Sequence, residues 1–490
     1  MVDKTREQEV VGSVPTGLFI GGEWHPAENG ATFSIDDPST GTKLADVADA
    51  SPADGMRALD AAEKAQAGWA AVAPRERSDI LRRAYEILLE RQEELALVMT
   101  LEMGKPLAEA RGEVVYAAEF FRWFSEEAVR IDGGFAVAPN GQGRLLVMRQ
   151  PVGPCVLITP WNFPIAMGTR KIGPAVAAGC TMIIKPAEQT PLSMLALAEI
   201  MKEAGLPDGV LNVVTTTDPA AVMEPIIRDG RARKLSFTGS TAVGRTLLEQ
   251  CAGQVMRTSL ELGGNAPFLV FEDADLELAV DGAMLAKMRN TGEACTAANR
   301  FYVHASVADE FARRLAERMS ALPIGRGVEE DVVVGPLIDA AARDKVSSLV
   351  VDAVERGATV LTGGKALERD GYFYPPTVLT GVPHDARMRH EEIFGPVAPI
   401  TTFETEEEAI TAANDTEYGL ASYIFTRDLD RALRVSERIE TGMIGLNQGI
   451  VSNPAAPFGG MKHSGLGREG GNVGIEEFLE IKYVAVATSV

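Results

Sequence analysis

From residue 153 onward, short apolar runs rich in β-branched residues alternate with segments of helix length. The runs cover residues 155–158, 181–184, 210–215, 234–237 and 258–262. A continuously apolar strand is typically buried on both faces, and strands that alternate with helices form a parallel sheet covered by helices. The pattern therefore predicts a doubly wound, Rossmann-like α/β domain. Such domains bind ligands beyond the carboxyl ends of their strands, so the residues after each run are the first candidates for a functional site.

A second alternation begins after residue 265 and predicts another α/β domain. Its strand-like stretches are 267–271, 300–304 and 443–446, and its helical patterns are 307–320 and 341–355. Upstream, apolar residues recur at helical spacing from residue 80 to 99, and another helix is predicted between Pro106 and Gly133. Residues 18–24 and 32–35 flank a turn rich in Pro, Asn and Gly, which predicts a hairpin.

Two strand-like stretches, residues 144–150 and 480–487, have no obvious partner nearby in the sequence. A strand with a free edge presents unpaired backbone groups that attract another strand. We therefore expect these two stretches to pair with each other or with another subunit.

The 490-residue chain is strongly acidic, with a formal net charge of −22. That charge repels nucleic acid and anionic membranes, so neither is an expected partner, and an anionic substrate requires a local cationic pocket.

The charged N-terminus has no apolar segment behind it, and no apolar run approaches the roughly 18 residues of a membrane span, which predicts a cytoplasmic protein. Four scattered cysteines and five histidines without a metal-binding spacing predict no disulfide framework and no metal site.

Cys295 lies in a loop of small and polar residues between a predicted helix and a predicted strand. A free cysteine is most often a small buried hydrophobic residue, and Cys155 and Cys251 fit that description because they sit in apolar patterns. Gly292 and the threonines near Cys295 instead leave its surroundings open. Cys295 is therefore a candidate nucleophile, and it needs a helper base because little of an unperturbed thiol is ionised at neutral pH.

Glu261 is the candidate base. It ends the last apolar run of the first predicted sheet, and the pair Gly263-Gly264 leaves space beside it. Asn162 lies in the loop Thr159-Pro-Trp-Asn-Phe-Pro164, which follows the first run. Two prolines and two aromatic residues stiffen such a loop whatever its role, and a stiff loop also preorganises the Asn162 amide as a donor to an oxyanion.

Two further strand ends carry residues suited to a dinucleotide. Lys185 and Glu188 follow the second run and can bind a ribose, whereas Gly239 and Ser240 open the helix after the fourth run and suit a pyrophosphate. The usual Gly-x-Gly-x-x-Gly fingerprint is absent. Residues 239–246 come within one residue of a Walker A sequence, but arginine occupies the lysine position, which disfavours a nucleoside triphosphatase.

These motifs, in this order, resemble those of the aldehyde dehydrogenase superfamily over essentially the whole chain. The series comprises Pro-Trp-Asn-Phe-Pro, Lys-Pro-Ala-Glu, Phe-Thr-Gly-Ser, Glu-Leu-Gly-Gly-Asn, the loop of Cys295 and Glu391-Glu-Ile-Phe-Gly-Pro396. The resemblance implies a dinucleotide-binding domain (1–130 and 151–262), a catalytic domain (263–465) and a small β-strand oligomerisation arm (131–150 and 466–490). It also implies a homodimer or homotetramer.

The resemblance further implies a role for each matching residue. Cys295 is then the nucleophile that forms a thiohemiacetal and a thioester, and Glu261 is the base that activates water for deacylation. The Asn162 amide and the backbone N–H of Cys295 form the oxyanion hole. The residues implied to hold the cofactor are Thr159, Pro160, Trp161, Lys185, Glu188, Gly239, Ser240, Leu262, Glu392 and Phe394.

Within the superfamily, the chain most resembles the succinate-semialdehyde dehydrogenases, through residues 168–173, 288–292, 447–453, 457–460 and 464–469. In that subfamily two arginines and a serine hold the distal carboxylate of the substrate. The matching residues are Arg170, Arg289 and Ser452, with Phe458 beside them. Most arginines form surface salt bridges, but an acidic chain needs a guanidinium group to hold an anion. Glutarate semialdehyde is the nearest alternative, because one methylene contributes only about 1–3 kcal/mol of discrimination.

Two positions depart from patterns seen in the subfamily. Position 297 is alanine, where many members carry a second cysteine that forms a redox-switch disulfide, so no such switch is expected. Glu188 stands where some bacterial NADP-dependent relatives have a small residue. A carboxylate there binds ribose hydroxyls and repels a 2′-phosphate, which favours NAD and leaves NADP possible. Two alternatives stay open: a thioester or ester hydrolase that uses Cys295 and Glu261 without redox chemistry, and a non-catalytic structural protein.

Overall fold

Helices and strands alternate through most of residues 3–487, the part of the chain that the computed structural model describes. The α-helices are α1 (Lys4–Gly12), α2 (Pro52–Ala70), α3 (Pro74–Glu90), α4 (Gln92–Met103), α5 (Leu107–Glu127), α6 (Pro164–Ala178), α7 (Pro191–Glu203), α8 (Pro219–Asp229), α9 (Thr241–Ala252), α10 (Leu276–Met288), α11 (Ala305–Ser320), α12 (Ala340–Glu355), α13 (Glu406–Asn414) and α14 (Leu429–Arg438).

Within residues 3–487 the strands form two large sheets and three small ones. They are β1 (Leu18–Ile20), β2 (Glu23–His25), β3 (Thr32–Asp37), β4 (Thr42–Ala48), β5 (Gly134–Val137), β6 (Arg144–Pro151), β7 (Cys155–Ile158), β8 (Met182–Lys185), β9 (Leu211–Val213), β10 (Lys234–Thr238), β11 (Arg257–Glu261), β12 (Ala266–Val270), β13 (Ala298–His304), β14 (Thr359–Thr362), β15 (Thr377–Thr380), β16 (Val397–Phe403), β17 (Tyr418–Gly419), β18 (Ala421–Phe425), β19 (Met443–Leu446), β20 (Met461–Lys462), β21 (Gly465–Leu466) and β22 (Leu479–Val486).

The first large sheet has the strand order β2-β1-β9-β8-β7-β10-β11-β21. Neighbours from β9 to β11 are parallel, whereas β1 and β21 attach antiparallel at either end. By chain position the parallel strands run third, second, first, fourth, fifth, so the winding direction reverses between β7 and β10. Loops that leave the carboxyl ends of strands at such a reversal flank a crevice. The predicted doubly wound α/β domain is confirmed.

The second large sheet has the strand order β14-β15-β16-β13-β12-β18-β19, and only β14 is antiparallel to its neighbour. Its core includes Phe268, whose ring lies 4.8 Å from that of Phe425 and 5.0 Å from that of Phe301. A second α/β unit is therefore confirmed. Strands β15, β16 and β18 were not predicted, because threonine, serine and a proline at 399 interrupt their apolar runs.

The two unpartnered stretches pair with each other. Strand β22 runs antiparallel to β6 from the pair Leu479–Pro151 to the pair Val486–Arg144, and β5 covers the other edge of β6. Several apolar side chains of this three-stranded sheet are exposed: Phe135, Val137, Ile481 and Tyr483. The domain boundaries given above stay a prediction.

The hairpin predicted between residues 18–24 and 32–35 is wrong. Strand β1 pairs with β2 and joins the first sheet through Phe19, while β3 pairs with β4. Gly21 and Gly22, with φ of 64° and 88°, already turn the chain between β1 and β2. The helical pattern at 80–99 is likewise two helices, α3 and α4, which meet at Arg91.

Helix α5 packs against α3, α4 and α6, and one of its faces points toward the loops that follow the first sheet. Glu109, Glu113, Tyr116 and Phe120 lie on that face at helical spacing. None of the helices described between residues 3 and 487 combines the length and apolar composition that a bilayer crossing requires.

Candidate active site

Loops from both large sheets enclose a cavity of about 400 Å³. The predicted site residues that line it are Pro160, Trp161, Asn162, Arg170, Gly239, Ser240, Leu262, Arg289, Cys295, Glu392, Phe394, Ser452 and Phe458. Thr159, Lys185, Glu188 and Glu261 are not part of the lining; they lie at or just beyond the carboxyl ends of β7, β8 and β11 of the first sheet. Residues that are far apart in the sequence thus come together around Cys295.

Sequence reasoning missed part of the lining. The missed residues are Tyr116, Phe163, Met167, Thr238, Gly263, Ala294, Thr296, Ile338, Asp339, Ala341, Ala342 and Lys345. Several are direct chain neighbours of predicted residues, so the same motifs could have indicated them. Tyr116 on α5 and Lys345 on α12 carry no such signal, because a polar residue on a helix usually faces solvent.

The loop before Cys295 has an unusual backbone. Asn290, Thr291 and Gly292 have φ of 54°, 55° and 80°, so three consecutive residues are left-handed. Such a conformation costs a non-glycine residue about 1–2 kcal/mol. Hydrogen bonds hold it: Asn290 N donates to Glu109 Oε2 at 2.7 Å, and Asn290 Nδ2 donates to the carbonyl oxygen of Glu293 at 3.0 Å.

Hydrogen bonds hold both the nitrogen and the oxygen of the Asn162 side-chain amide. Its Nδ2 donates to the carbonyl oxygen of Glu293 at 3.1 Å, and its Oδ1 accepts from Phe163 N at 3.1 Å. Nδ2 carries a second hydrogen, and the residue lines the cavity beside Cys295. The amide is therefore a preorganised donor next to the thiol.

The environment of Cys295 disfavours its thiolate. Burial raises the pKa of the Cys295 thiol to about 12; Arg170 and Arg289 lower it, and Glu392 and Glu261 raise it. The thiol is consequently protonated at neutral pH in this arrangement. It becomes a nucleophile only when a base or further positive charge assists the loss of its proton.

Glu261 lies in a buried group of charges behind the thiol. Burial and the nearby Glu469 raise the pKa of Glu261 well above its usual value, although Arg170 and Lys171 oppose the shift. Glu469 forms ion pairs with Lys171 Nζ at 2.5 Å and with Arg170 at 2.8 Å. Burial opposes ionisation of Glu469, but Lys171 and Arg170 hold its pKa below its usual value. Glu469 is therefore more readily ionised than an exposed glutamate, and Glu261 is less readily ionised.

Glu469 is a site residue that the sequence reasoning missed, and it lies in the stretch assigned to the oligomerisation arm. Its backbone pairs with that of Phe458, which brings residues 458–469 against the first sheet. A glutamate preceded by glycine and arginine resembles an ordinary surface residue, so its burial has no sequence signal.

The two predicted substrate arginines differ in their surroundings. Arg170 is 2% exposed, lies over the ring of Phe458 at 3.9 Å and is paired with Glu469. Arg289 is half-buried, donates to Ser452 Oγ at 3.2 Å and forms no ion pair within residues 3–487. Arg289 thus has more of its charge available for a ligand.

The strand ends of the first sheet fit a dinucleotide. Thr159 Oγ1 and Thr238 Oγ1 are buried, and neither has a hydrogen-bond partner among the described residues. Ser240 caps α9, so the positive end of a helix faces the same region. Lys185 Nζ lies 3.7 Å from the carboxylate of Glu188, which is half-exposed. Unpartnered hydroxyl groups, a helix N-terminus and a lysine-acid pair are suited to ribose hydroxyls and phosphates.

Glu392 and Phe394 close the cavity from the second sheet. Burial raises the pKa of Glu392 to about 7, although Gly264 N donates to its Oε1 at 3.0 Å. Phe394 has a left-handed φ of 55°, and its ring meets that of Trp161 edge-on at 5.4 Å. This loop therefore joins the end of the first sheet to the wall of the cavity.

Comparison with known proteins supports the class that this fold and site define. The aldehyde dehydrogenase family model matches residues 24–484. The chain therefore belongs to the aldehyde dehydrogenase family, and it is an enzyme that oxidises an aldehyde with a nicotinamide dinucleotide. That membership decides against a hydrolase without redox chemistry and against a purely structural protein.

The similar proteins include members with a named substrate. A succinate-semialdehyde dehydrogenase of Paenarthrobacter nicotinovorans is 59% identical and covers 91% of this chain and 99% of its own length. A succinate-semialdehyde dehydrogenase [NADP(+)] of Escherichia coli and a glutarate-semialdehyde dehydrogenase of Pseudomonas putida are each 52% identical, covering 96% of this chain and 97% of their own. The crystal structure of succinate-semialdehyde dehydrogenase from Burkholderia pseudomallei has a TM-score of 0.96, 49% identity and full coverage of both chains.

Gly264 allows the backbones of the two sheets to touch at the site, and replacing it tests that contact. A Cβ at Gly264 would lie 2.2 Å from the carbonyl oxygen of Cys295, so Gly264→Ala must displace the loop. We expect kcat/KM for aldehyde oxidation to fall by about 100-fold or more, since small misplacements of reacting groups are costly. Gly253→Ala is the matched control, because a Cβ there meets nothing within 4 Å. Equal activity of the two variants would contradict the prediction.

Proposed function

We propose that this enzyme oxidises succinate semialdehyde to succinate, with Cys295 as nucleophile, Glu261 as base and Asn162 as oxyanion donor. The observation that carries the proposal is the position of Arg289. Its guanidinium group and the Cys295 thiol line one cavity, and its hydrogen bond to Ser452 fixes its direction. A short aldehyde with a carboxylate at its far end can then meet both groups at once.

The reaction follows from the chemistry of these groups. The Cys295 thiol loses its proton to solvent as Sγ attacks the aldehyde carbon, and the Asn162 amide donates a hydrogen bond to the oxygen that becomes negative. A nicotinamide dinucleotide, when bound, supplies the hydride acceptor for the oxidation. Oxidation of the thiohemiacetal leaves a thioester on Cys295. Glu261 then takes a proton from water as the water attacks the thioester, which releases the carboxylate and the thiol.

The cofactor residues of the proposal lie along the same strand ends. Lys185 and Glu188 bind the adenosine ribose, Gly239 and Ser240 the diphosphate, and Glu392 and Phe394 the nicotinamide side. Thr159, Pro160, Trp161 and Leu262 complete this surface. The unpartnered hydroxyl of Thr159 and the helix N-terminus at Ser240 support the assignment.

Relatives named for succinate semialdehyde and for glutarate semialdehyde have comparable identity to this chain, so a substrate one methylene longer is the second candidate. The crowding of the pocket around Arg170 favours the shorter substrate. Arg170 is stacked on Phe458 and paired with Glu469, which limits how far it can move to accommodate a longer chain. Comparing kcat/KM for both semialdehydes and for butanal distinguishes these substrates.

Arg289→Met tests the substrate anchor. Losing a charge-assisted hydrogen bond costs about 1.5–3 kcal/mol, so we expect kcat/KM for succinate semialdehyde to fall by about 10- to 100-fold. Butanal has no carboxylate, and its kcat/KM should change by less than about threefold. The control is Arg313→Met, an exposed arginine on α11. Equal losses for both aldehydes would show that Arg289 supports the loop rather than the substrate.

Glu261→Gln tests the base and its raised pKa. A base acts in its ionised form, so deacylation in the wild type should quicken as the pH rises above the range where an exposed glutamate titrates, because burial raises the pKa of Glu261. In the variant, turnover should fall by about 100-fold or more and lose this pH dependence, while the first burst of dinucleotide reduction persists. Pre-steady-state absorbance separates the two phases. An equal loss of burst and turnover would assign Glu261 to the acylation step.

For the cofactor, we propose that NAD is preferred and NADP is accepted. The carboxylate of Glu188 repels a 2′-phosphate, whereas its half-exposed position beside Lys185 lets it move aside. The Escherichia coli relative is named for NADP. Whether this enzyme prefers NAD or NADP therefore depends on how strongly the Glu188 carboxylate repels the 2′-phosphate and on how readily that side chain moves aside.

Glu188→Ser tests this balance through the ratio of kcat/KM with NAD to that with NADP. We expect the ratio to exceed one in the wild type and to fall by about tenfold in the variant, because one repulsive carboxylate is removed. Glu224→Ser on α8 provides the control for a general loss of negative charge. A ratio that is unchanged in Glu188→Ser would contradict the role of this residue.

We further propose a homodimer or homotetramer that assembles through the sheet of β5, β6 and β22. The exposed side chains of Phe135, Ile481 and Tyr483 on one small sheet support this assignment, because monomeric proteins rarely expose a contiguous apolar patch. Sedimentation velocity distinguishes the two assemblies.

A further inference from the structure

A buried ion pair lies directly behind the loop that carries Asn162. Lys105, which precedes α5, pairs with Glu113 on that helix, and both side chains are about 1% exposed. The proposed mechanism uses neither residue. A fully desolvated pair of charges is expensive to bury, and apolar residues of similar size often stabilise a fold equally well. The pair therefore calls for an explanation other than packing.

The pair acts on the loop through two sets of hydrogen bonds. Lys105 Nζ donates to the carbonyl oxygen of Asn162 at 2.7 Å and lies 4.3 Å from the centre of the Phe163 ring. Glu113 Oε1 accepts from the backbone N–H groups of Ile165 and Ala166, at 3.1 and 3.2 Å. Those are the first free N–H groups of α6, because Pro164 has none. Both ends of the segment from Asn162 to Ala166 are thereby tied to α5.

The same segment is tied to the nucleophile loop. The carbonyl oxygen of Asn162 accepts a second hydrogen bond, from Asn290 Nδ2 at 3.0 Å. Asn290 is the first of the left-handed residues before Cys295, and its backbone N–H donates to Glu109, one turn before Glu113 on α5. One face of α5 therefore holds both the oxyanion amide and the turn that presents the thiol.

We propose that Lys105, held by Glu113, is a positioning residue that sets the direction of the Asn162 amide toward the oxyanion. Lys105 donates to the carbonyl oxygen of Asn162, and Glu113 accepts from the first N–H groups of α6, so hydrogen bonds on both sides restrain rotation of the segment that bears the amide. This inference rests on the proposed role of Asn162 as oxyanion donor.

The test is a double-mutant cycle on the chemical step. The rate of dinucleotide reduction is measured in a single turnover, with enzyme in excess over succinate semialdehyde, for wild type, Lys105→Met, Asn162→Ala and the double variant. We expect Lys105→Met to slow the step by about 10- to 100-fold in the wild-type background, as misplaced catalytic groups do. In the Asn162→Ala background it should slow the step by less than about threefold, because the amide through which it acts is gone.

Two further variants separate positioning from stability. Glu113→Gln keeps the acceptor for the α6 N–H groups but removes the charge that holds Lys105. It should therefore slow the chemical step as much as Lys105→Met does. It also replaces Lys105→Met in the cycle if that variant does not fold. Glu102→Gln is the matched control. Glu102 is also a buried carboxylate of the helical region, and it accepts from Leu192 and Ser193 at the start of α7, both at 2.8 Å. It should lower the thermal midpoint while leaving the single-turnover rate within about threefold of wild type.

The outcomes distinguish this inference from the function on which it rests. If Lys105→Met slows the step equally in both backgrounds, or if Glu102→Gln slows it as much as Glu113→Gln, the positioning role is wrong. If Asn162→Ala slows the step but Lys105→Met does not, only this inference fails. If Asn162→Ala itself leaves the rate unchanged, the proposed role of Asn162 is wrong and the inference falls with it.

Discussion

The direct passage from the first sheet into the second constrains everything else in the site. Strand β11 ends at Glu261 and β12 begins at Ala266, so four residues join the carboxyl end of one parallel sheet to the amino end of the other. The connection is too short for the sheets to separate. Its backbone at Gly264 therefore lies against the backbone of Cys295, which lies three residues before the start of β13, the neighbour of β12. Glu261 ends a strand of one sheet and Cys295 precedes a strand of the other, and this link brings the two residues together.

Several charged side chains are buried around that link, and their surroundings give them different properties. Arg170 and Lys171 pair with Glu469 and hold its pKa below its usual value, whereas burial and Glu469 raise the pKa of Glu261. Arg289 remains outside this arrangement and faces the cavity with Ser452. Two arginines that look equivalent in the sequence thus differ in available charge, because only Arg170 forms an ion pair with an acidic residue of the described part of the chain.

The sequence was most informative where a local pattern carries a structural meaning. Apolar runs followed by glycine, proline or a functional side chain identified the first sheet, the loop of Asn162, Glu261 and the loop of Cys295. Prediction failed where a residue owes its place to distant chain segments. Lys105, Glu113 and Tyr116 belong to helical surroundings that resemble any amphipathic region, and Glu469 is buried only because residues 458–469 fold back onto the first sheet. Strands β15, β16 and β18 were missed because burial, rather than their mixed composition, makes them strands.

The distance along the chain between the parts of the site has a consequence for biosynthesis. Cavity-lining and supporting residues extend from Lys105 to Glu469, and strand β6, near residue 150, pairs with β22, more than 300 residues later. A ribosome releases the N-terminal segments first, and these begin to fold before the rest exists. Until Glu469 emerges, Arg170 and Lys171 lack their carboxylate partner, and until β22 emerges one edge of β6 is open. The nascent protein therefore contains Cys295 long before it has a finished site, and the segment from Glu469 to β22 completes both the charge balance and the small sheet.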